Sequence, residues 1–185
     1  MSRFLIVYGT KYGQAEKISK FALDELTKLG HIADVFDARE IPGTIQPEFY
    51  DAAIVGGSVH MYSYPRPLIQ WVKKNHLSLS KMPSAFFSVS LGIMEESEEV
   101  RKSTQKIVND FFKRTDWHPK TWSTFAGALA YSQYSWPLKL IMRWIAKKAG
   151  AETNLKQDYE YTNWNEVRRF IQKFAELELV KAAAS

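Results

Sequence analysis

The residues with the clearest chemical potential lie at positions 9–15, where an apolar run ends in a short turn and an amphipathic helix begins. The turn contains Gly9, Thr10 and Gly13. A strand, a turn and a helix in that order direct several free backbone N–H groups, and the positive end of a helix dipole, at one point. A phosphate bound at this point satisfies those donors without a cationic side chain. The turn therefore predicts an anion-binding site.

Neither common nucleotide-binding pattern fits this turn. It contains no G-x-G-x-x-G, and its lysine, Lys11, is not followed by Ser or Thr as in a P-loop. The remaining pattern, Thr10-x-x-Gly13-x-Ala15, is similar to the Ser/Thr-x-Thr-Gly-x-Thr phosphate loop of flavodoxins. The similarity implies FMN, and the alternative is an ordinary strand-to-helix turn.

Two further loops follow predicted strands and have the composition of a cofactor crevice. In residues 56–65, two glycines let the backbone approach a flat ligand, and Tyr62 or Tyr64 could stack on its ring. In residues 88–93, small side chains would pass close to the pyrimidine end of a flavin. Each loop alone is also explained as an ordinary turn. Three such loops at the predicted strand ends together favour a flavin site.

Histidine is the residue type that suggests a proton-transfer group. His60 lies in a predicted crevice loop and could transfer a proton or contact the ligand, although a loop histidine with no role is the simpler alternative. His31, His76 and His118 lie beside strand or helix ends, as surface or capping residues do. No carboxylate pair, Ser-His-Asp arrangement or metal-ligand spacing stands out. We therefore expect no metal site and assign no catalytic residue.

The elements that must position these loops alternate along the chain. The predicted strands are 3–8, 31–36, 50–58, 83–91 and 121–129, and the predicted helices are 14–29, 67–77, 95–114 and 164–179. Strands and helices that alternate over short connections predict an α/β fold with a parallel sheet covered on both faces. Five strands fit the flavodoxin-like, doubly wound order 2-1-3-4-5, whose ligand crevice lies at the carboxyl ends of strands 1 and 3.

Residues 130–161 are too long for a simple connection between the fifth strand and the last helix, so we predict that they are a functional insertion. Within it, residues 136–149 form an amphipathic helix with tryptophans beside its apolar face and with cations at every fourth position, namely Lys139, Arg143 and Lys147. Such a helix suits peripheral contact with a membrane but is too short to span one. Packing of the apolar face on the domain or on a second subunit, as in a homo-oligomer, is left open. We expect no nucleic-acid binding, because the cations alternate with large aliphatic residues.

Length and composition bound the remaining possibilities. The chain has 185 residues, of which 45% are apolar, and is predicted to form a single domain over 1–180 with a frayed tail at 181–185. The absence of cysteine excludes disulfides, thiolate catalysis and iron–sulfur clusters. No segment resembles a signal peptide or a transmembrane helix. The net charge is +5, with most of the excess in the insertion. We therefore expect a cytoplasmic protein, peripheral on the inner face of the cell membrane.

Several short motifs occur together along the chain. They are Lys11-Tyr12-Gly13-Gln14, Gly57-Ser58 with the aromatic-rich loop after it, Met82-Pro83-Ser84-Ala85-Phe86 leading to Ser88-Val89, Ala126-Gly127-Ala128-Leu129, Gly150-x-Glu152-Thr153 and Tyr161-Thr162-x-Trp164. On these motifs the chain resembles the flavodoxin-like, menaquinone-dependent protoporphyrinogen oxidase family of bacteria over nearly its whole length. The middle and C-terminal motifs are the more specific ones, because plain flavodoxins lack them.

This resemblance implies noncovalently bound FMN and the oxidation of protoporphyrinogen IX to protoporphyrin IX, with the electrons passing to a membrane quinone. It implies that the phosphate is held by Thr10, Lys11, Tyr12, Gly13, Gln14 and Ala15. It also implies that the flavin ring is flanked by Ser58, Val59, His60, Met61, Tyr62, Ser88, Val89, Ser90, Leu91 and Gly92. The insertion helix would meet the membrane or the quinone, and cations such as Arg66 or those of the insertion could attract the substrate propionates.

The chain departs from the family pattern at two points. Ala15 stands where the phosphate loop has Ser or Thr. This removes one hydroxyl donor, whose net contribution to phosphate binding is modest. The loop after Gly92 is acidic rather than basic, which could alter the substrate. Two other functions stay open: a flavodoxin-type electron carrier that docks on proteins, against which the basic insertion argues, and a flavodoxin-fold interaction module without a cofactor.

Overall fold

Five strands form one parallel sheet in the computed structural model, which describes residues 1–91, 98–148 and 152–183. The strands are β1 (Arg3–Gly9), β2 (Ile32–Asp37), β3 (Ala52–Ser58), β4 (Ser84–Ser90) and β5 (Thr121–Ala126). They lie in the order β2-β1-β3-β4-β5, and every neighbouring pair is parallel. The predicted doubly wound fold and its strand order are confirmed.

Helices cover both faces of this sheet. They are α1 (Gln14–Lys28), α2 (Arg66–Lys81), α3 (Glu98–Thr115), α4 (Trp136–Lys148) and α5 (Trp164–Ala183). Three of them differ most from the prediction: α2 runs four residues further, α3 is described from Glu98 onwards because residues 95–97 lie outside the described part of the chain, and α5 continues to Ala183.

The alternation of side chains along β1 explains why both faces are covered. Phe4 and Ile6 point to the face occupied by α1 and α5, whereas Leu5 and Val7 point to the face occupied by α2 and α3. All four side chains are fully buried. A strand that is buried on both faces needs apolar residues at every position, and the sequence of β1 is continuously apolar from Phe4 to Val7 for this reason.

The fifth strand is shorter than predicted, because the chain changes partner at Gly127. Residues up to Ala126 pair with β4 in the sheet, but Ala128 and Leu129 form a separate strand, β6, which pairs antiparallel with β7 (Tyr159–Glu160). The N–H of Gly127 donates to the Ser90 carbonyl at 3.3 Å, its last link to the main sheet. The predicted strand 121–129 is therefore two strands in two sheets.

The insertion, residues 130–161, has its own small core. Leu129, Tyr131 and Tyr134 are buried there together with Ala146 from α4. The two ends of the insertion are also linked, since Asp158 accepts hydrogen bonds from the backbone N–H and the hydroxyl of Ser132 at 2.8 and 2.6 Å. These contacts give the insertion a packed core and join its two ends.

Among the residues that the structure describes, no helix combines the length and the apolar character needed to cross a membrane.

Candidate functional site

A crevice lies at the carboxyl ends of β1, β3 and β4, where the direction of the strand order reverses. Neighbouring strands β1 and β3 carry their helices on opposite faces here, so the loops after them separate and leave a groove. The crevice has a volume of about 230 Å³. It is lined by eleven of the predicted cofactor residues, namely Thr10, Lys11, Tyr12, Gln14, Ser58, Val59, His60, Met61, Val89, Ser90 and Leu91.

The insertion forms a further wall of the crevice, which the sequence prediction missed. This wall consists of Tyr134 and Met142 from the insertion, next to Gly127 and Ala128, which follow the end of β5. The position of Gly127 was not predicted, because the sequence pattern places it inside a strand that runs to residue 129. The inward direction of Met142 was not predictable either, because the sequence of α4 shows several apolar side chains that could face the domain.

The first turn of α1 is arranged to receive an anion. Gly13 precedes the helix with a φ of 83°, in the left-handed region, and no side chain among the described residues caps the helix N-terminus. The first N–H groups of a helix have no intrahelical partner, so they remain available to a phosphate. The oxygen of the Thr10 hydroxyl accepts from the N–H of Gly13 at 3.0 Å, which leaves its hydrogen to donate to a ligand.

Two residues of the predicted phosphate loop direct their side chains elsewhere. The methyl group of Ala15 is fully buried in the core cluster beneath α1. The side-chain amide of Gln14 donates to the hydroxyl of Thr162 at 2.8 Å, and that hydroxyl donates to the Ala126 carbonyl at 2.7 Å. Gln14 and Ala15 can therefore contribute backbone N–H groups to an anion, but their side chains serve the packing of α1.

Two further predicted residues, besides Gly13 and Ala15, are described by the structure but do not line the crevice. Ser88 is buried and accepts a hydrogen bond from the hydroxyl of Tyr64 at 2.7 Å. Tyr62 is 82% exposed and lines a separate small cavity beside Arg114. Gly92 lies outside the described residues.

Tyr64 cannot stack on a ligand in the crevice, contrary to one of the two sequence interpretations. Its ring packs edge-on against Phe86 and Phe111 in the core between the sheet and α3. Burial raises the pKa of its hydroxyl well above the ordinary range. Tyr64 is a core residue whose hydroxyl is satisfied by Ser88.

The loop after β3 is a tight two-residue turn with unusual backbone geometry. His60 and Ser63 are joined by two backbone hydrogen bonds of 2.8 and 3.1 Å. Between them, Met61 and Tyr62 have φ values of 48° and 61°. Non-glycine residues in this region cost about 1–2 kcal/mol each. Strain of this kind concentrates at ligand sites, and here it directs His60 and Met61 to the crevice.

A lysine of the first loop and a histidine of the second meet at this crevice. Lys11 Nζ lies 2.8 Å from His60 Nε2, and the ring of Tyr12 packs edge-on against that of His60. An ammonium group can only donate, so Nε2 of His60 accepts and the imidazole is neutral. Burial, and secondly the charge of Lys11, lower the pKa of His60 below its ordinary value of 6.5.

We expect the substitution Lys11→Met to raise the pKa of His60 while leaving it below 6.5, because burial is the larger of the two causes. The folded protein binds fewer protons at His60 than the unfolded chain does. The stability that this histidine contributes is therefore complete above pH 6.5 and declines as the pH falls below that value. NMR titration of the imidazole carbon resonances measures the shift. Lys20→Met, which removes a lysine paired with Glu16 instead, is the matched control, and an unchanged pKa in Lys11→Met would contradict the contact.

A doubly wound sheet with an uncapped helix N-terminus at its switch point defines a flavodoxin-like protein. Residues 5–156 match the model of a family described as a flavodoxin domain, which covers most of the chain. The chain belongs to the flavodoxin-domain family.

Individual proteins with similar sequences give a more specific comparison than the family model does. It is 33% identical over 173 residues to Protoporphyrinogen IX dehydrogenase [quinone] of Escherichia coli (strain K12), with 94% of each chain covered. It is 31% identical over 176 residues to the protein of the same name from Leishmania major, covering 95% of this chain and 75% of that one. Among solved structures, oxidised flavodoxin 1 from Bacillus cereus has a TM-score of 0.56 at 10% identity over 95% of this chain and 99% of that chain, a likeness of fold.

Proposed function

We propose that this chain is an FMN-dependent oxidoreductase that oxidises protoporphyrinogen IX to protoporphyrin IX and passes the electrons to a membrane quinone. The observation that carries this proposal is the identity of 33% to a quinone-linked protoporphyrinogen IX dehydrogenase across 94% of both chains. A match of that extent includes the insertion as well as the flavodoxin-like domain. The insertion supplies a wall of the crevice, so the aligned part of the chain spans the elements that form the proposed site.

The donor set of the crevice fits a flavin phosphate. The N–H groups of the first turn of α1 and the hydroxyl of Thr10 are directed at one point, and Gly13 leaves this point uncovered because it has no side chain. Beyond this polar end the lining becomes apolar, with Val59 and Val89 on two neighbouring strand ends, as a flat aromatic ring requires. When bound, a flavin supplies the two-electron redox chemistry that no side chain of this protein can supply.

The residues of the chain have the tasks of binding, orientation and exclusion of water. Tyr134 and Met142 close the side of the crevice that faces the insertion. Lys11 lines the crevice and can attract a substrate carboxylate. Oxidation of protoporphyrinogen IX removes six electrons and six protons, so three quinones become quinols for each porphyrin formed. His60, which burial and the charge of Lys11 keep neutral, is a candidate acceptor for a released proton.

Helix α4 presents a surface suited to an anionic membrane. Because successive residues differ by about 100° around a helix, Trp136, Leu140 and Trp144 share one face, and Trp136 and Trp144 are 67% and 61% exposed. Arg143 and Lys147 are exposed beside this face, and α4 contains no acidic residue. Tryptophans and cations on one short helix are typical of peripheral membrane contact.

The opposite side of α4 reaches the crevice, since Met142 lines it and Ala146 is buried beneath it. A single helix therefore touches the proposed flavin site on one side and can touch a bilayer on the other. This arrangement would let a quinone dissolved in the membrane approach the flavin without leaving the apolar phase. It supports peripheral attachment of the protein through residues 136–149.

Anaerobic mixing of FMN-loaded protein with protoporphyrinogen IX tests the proposed activity. We expect porphyrin fluorescence to rise in multiple turnovers when a menaquinone is added, and to stop at about one third of the amount of flavin present when it is left out, because each flavin accepts two of the six electrons. A rate no higher than spontaneous oxidation, in protein that holds FMN, would overturn the substrate assignment. If such protein instead exchanged electrons with a redox protein, it would be an electron carrier.

A further inference from the structure

The loop proposed to hold the phosphate is also fastened to the insertion. Three side chains, one from this loop and two from the first turn of α1, each contact one end of the insertion or the residue after it. The rings of Tyr12 and Tyr134 pack edge-on with centroids 4.8 Å apart. Gln14 donates to Thr162 at 2.8 Å in a buried hydrogen bond, and Lys17 forms an ion pair with Glu160 at 2.8 Å. The three contacts arise within six residues of sequence.

Tyr12 lines the crevice and contacts the insertion core. It stands at the third position of the phosphate-loop pattern, where Ser/Thr-x-Thr-Gly-x-Thr has a small hydroxyl residue. Its partner Tyr134 is buried, and the hydroxyl of Tyr134 accepts a hydrogen bond from the N–H of Ala130 at 3.3 Å. Burial raises the pKa of Tyr134 to about 12, so this hydroxyl keeps its proton at all physiological pH values. Tyr12 therefore packs against a fixed, neutral part of the insertion core.

Gln14 links the same two regions from the other side. Its backbone N–H belongs to the first turn of α1, among the donors available to a phosphate. Its side chain is 5% exposed and reaches Thr162, the residue with which the chain leaves the insertion. Thr162 in turn donates to Ala126, the last residue of β5. One residue thus joins the anion site, the end of the sheet and the exit of the insertion.

We infer that flavin binding and docking of the insertion stabilise each other, with Tyr12 and Gln14 as the positioning residues that couple them. A phosphate that fixes the backbone of residues 11–15 also fixes the side chains of Tyr12 and Gln14, so less conformational entropy is lost when the insertion docks on them. By thermodynamic linkage, a docked insertion strengthens flavin binding by the same factor. The inference rests on the proposed function for the identity of the ligand as FMN.

Hydrogen exchange on the full chain, with and without saturating FMN, measures this coupling directly. We expect FMN to slow exchange at the amides of residues 128–134 and 159–162 by about fivefold or more, the lower end of typical coupling. In Tyr12→Ser, which restores a small hydroxyl residue to the loop, FMN should still bind but should slow exchange in these segments by less than about twofold. Gln14→Met, which keeps the length of the side chain and removes the hydrogen bond to Thr162, should reduce the effect in the same direction.

Tyr62→Ser is the matched control, because it makes the same chemical change in the neighbouring loop at a ring that lies outside the crevice. It should retain the full protection of the insertion. If FMN binds, as seen by quenching of its fluorescence, and exchange in the insertion does not change, the coupling is wrong and the proposed function stands. If FMN does not bind, both are overturned.

Discussion

We expect the substitution Gly56→Ala to lower the free energy of unfolding by about 3 kcal/mol, at the upper end of the usual cost of overpacking. A Cβ atom at this position would lie 1.9 Å from the Cζ atom of Phe87 on the adjacent strand. Phe87 is fully buried, and an aromatic ring cannot bend away from the clash as a flexible side chain can. The backbone of β3 or β4 must shift instead. Urea unfolding followed by circular dichroism gives the change.

Two variants test the cause of this loss. Gly43→Ala makes the same change at a glycine whose added Cβ would meet nothing within 4 Å, so it should change the free energy of unfolding by less than about 0.5 kcal/mol. Phe87→Leu introduced together with Gly56→Ala should be less destabilising than the sum of the two single changes, because the atoms in conflict are gone. If Gly56→Ala were as stable as the wild type, the close packing of β3 on Phe87 would be wrong.

The double substitution Trp136→Glu with Leu140→Glu should reduce partitioning onto anionic vesicles about tenfold or more. Full burial of one large apolar side chain contributes about 1.5–3 kcal/mol, and a tenfold change corresponds to about 1.4 kcal/mol. Loss of two such side chains from the exposed face of α4 is therefore sufficient even if a membrane interface buries them only in part. Co-sedimentation with vesicles of mixed phosphatidylglycerol and phosphatidylcholine measures the fraction bound.

A matched control changes two exposed apolar side chains that lie outside α4. Phe49 and Leu77 are each 65% exposed, so Phe49→Glu with Leu77→Glu removes two exposed apolar groups and adds the same two charges away from α4. This variant should bind vesicles nearly as well as the wild type. Binding of the wild type should also fall at high salt, since cations near an anionic surface contribute about 1 kcal/mol each. If partitioning of the α4 variant were unchanged, the membrane contact would be wrong, and contact of the apolar face with a second subunit would be the remaining interpretation.

The strand order and the position of the crevice were predictable because they depend on patterns that span many residues. Continuous apolar runs separated by helical periodicity leave few alternatives to a parallel sheet, and the order then places the loops after β1 and β3 side by side. The start of α1 directly after Gly13 was also predicted, because helical periodicity begins there, whereas the left-handed conformation of Gly13 was not.

Side-chain directions within the loops were less predictable. Tyr62 and Tyr64 are two residues apart and looked equivalent, yet Tyr64 fills the core and Tyr62 is exposed. Tyr62 belongs to the strained turn between His60 and Ser63, whereas Tyr64 follows that turn. The partner change at Gly127 was hidden for a related reason. Ala128 and Leu129 continue the apolar pattern of β5, and only their pairing with Tyr159 and Glu160 reveals a second sheet.

The small sheet of β6 and β7 brings the two ends of the insertion together. Ala128 pairs with Glu160, and the N–H of Tyr161 donates to the Gly127 carbonyl at 3.1 Å, so the chain leaves the domain and returns to it at adjacent points. A short hairpin turn could join these points without moving any strand of the main sheet, and loop-closure entropy changes only slowly with loop length. The order of the strands in the main sheet therefore does not depend on the insertion, so the surface that α4 carries could be exchanged while the scaffold is kept.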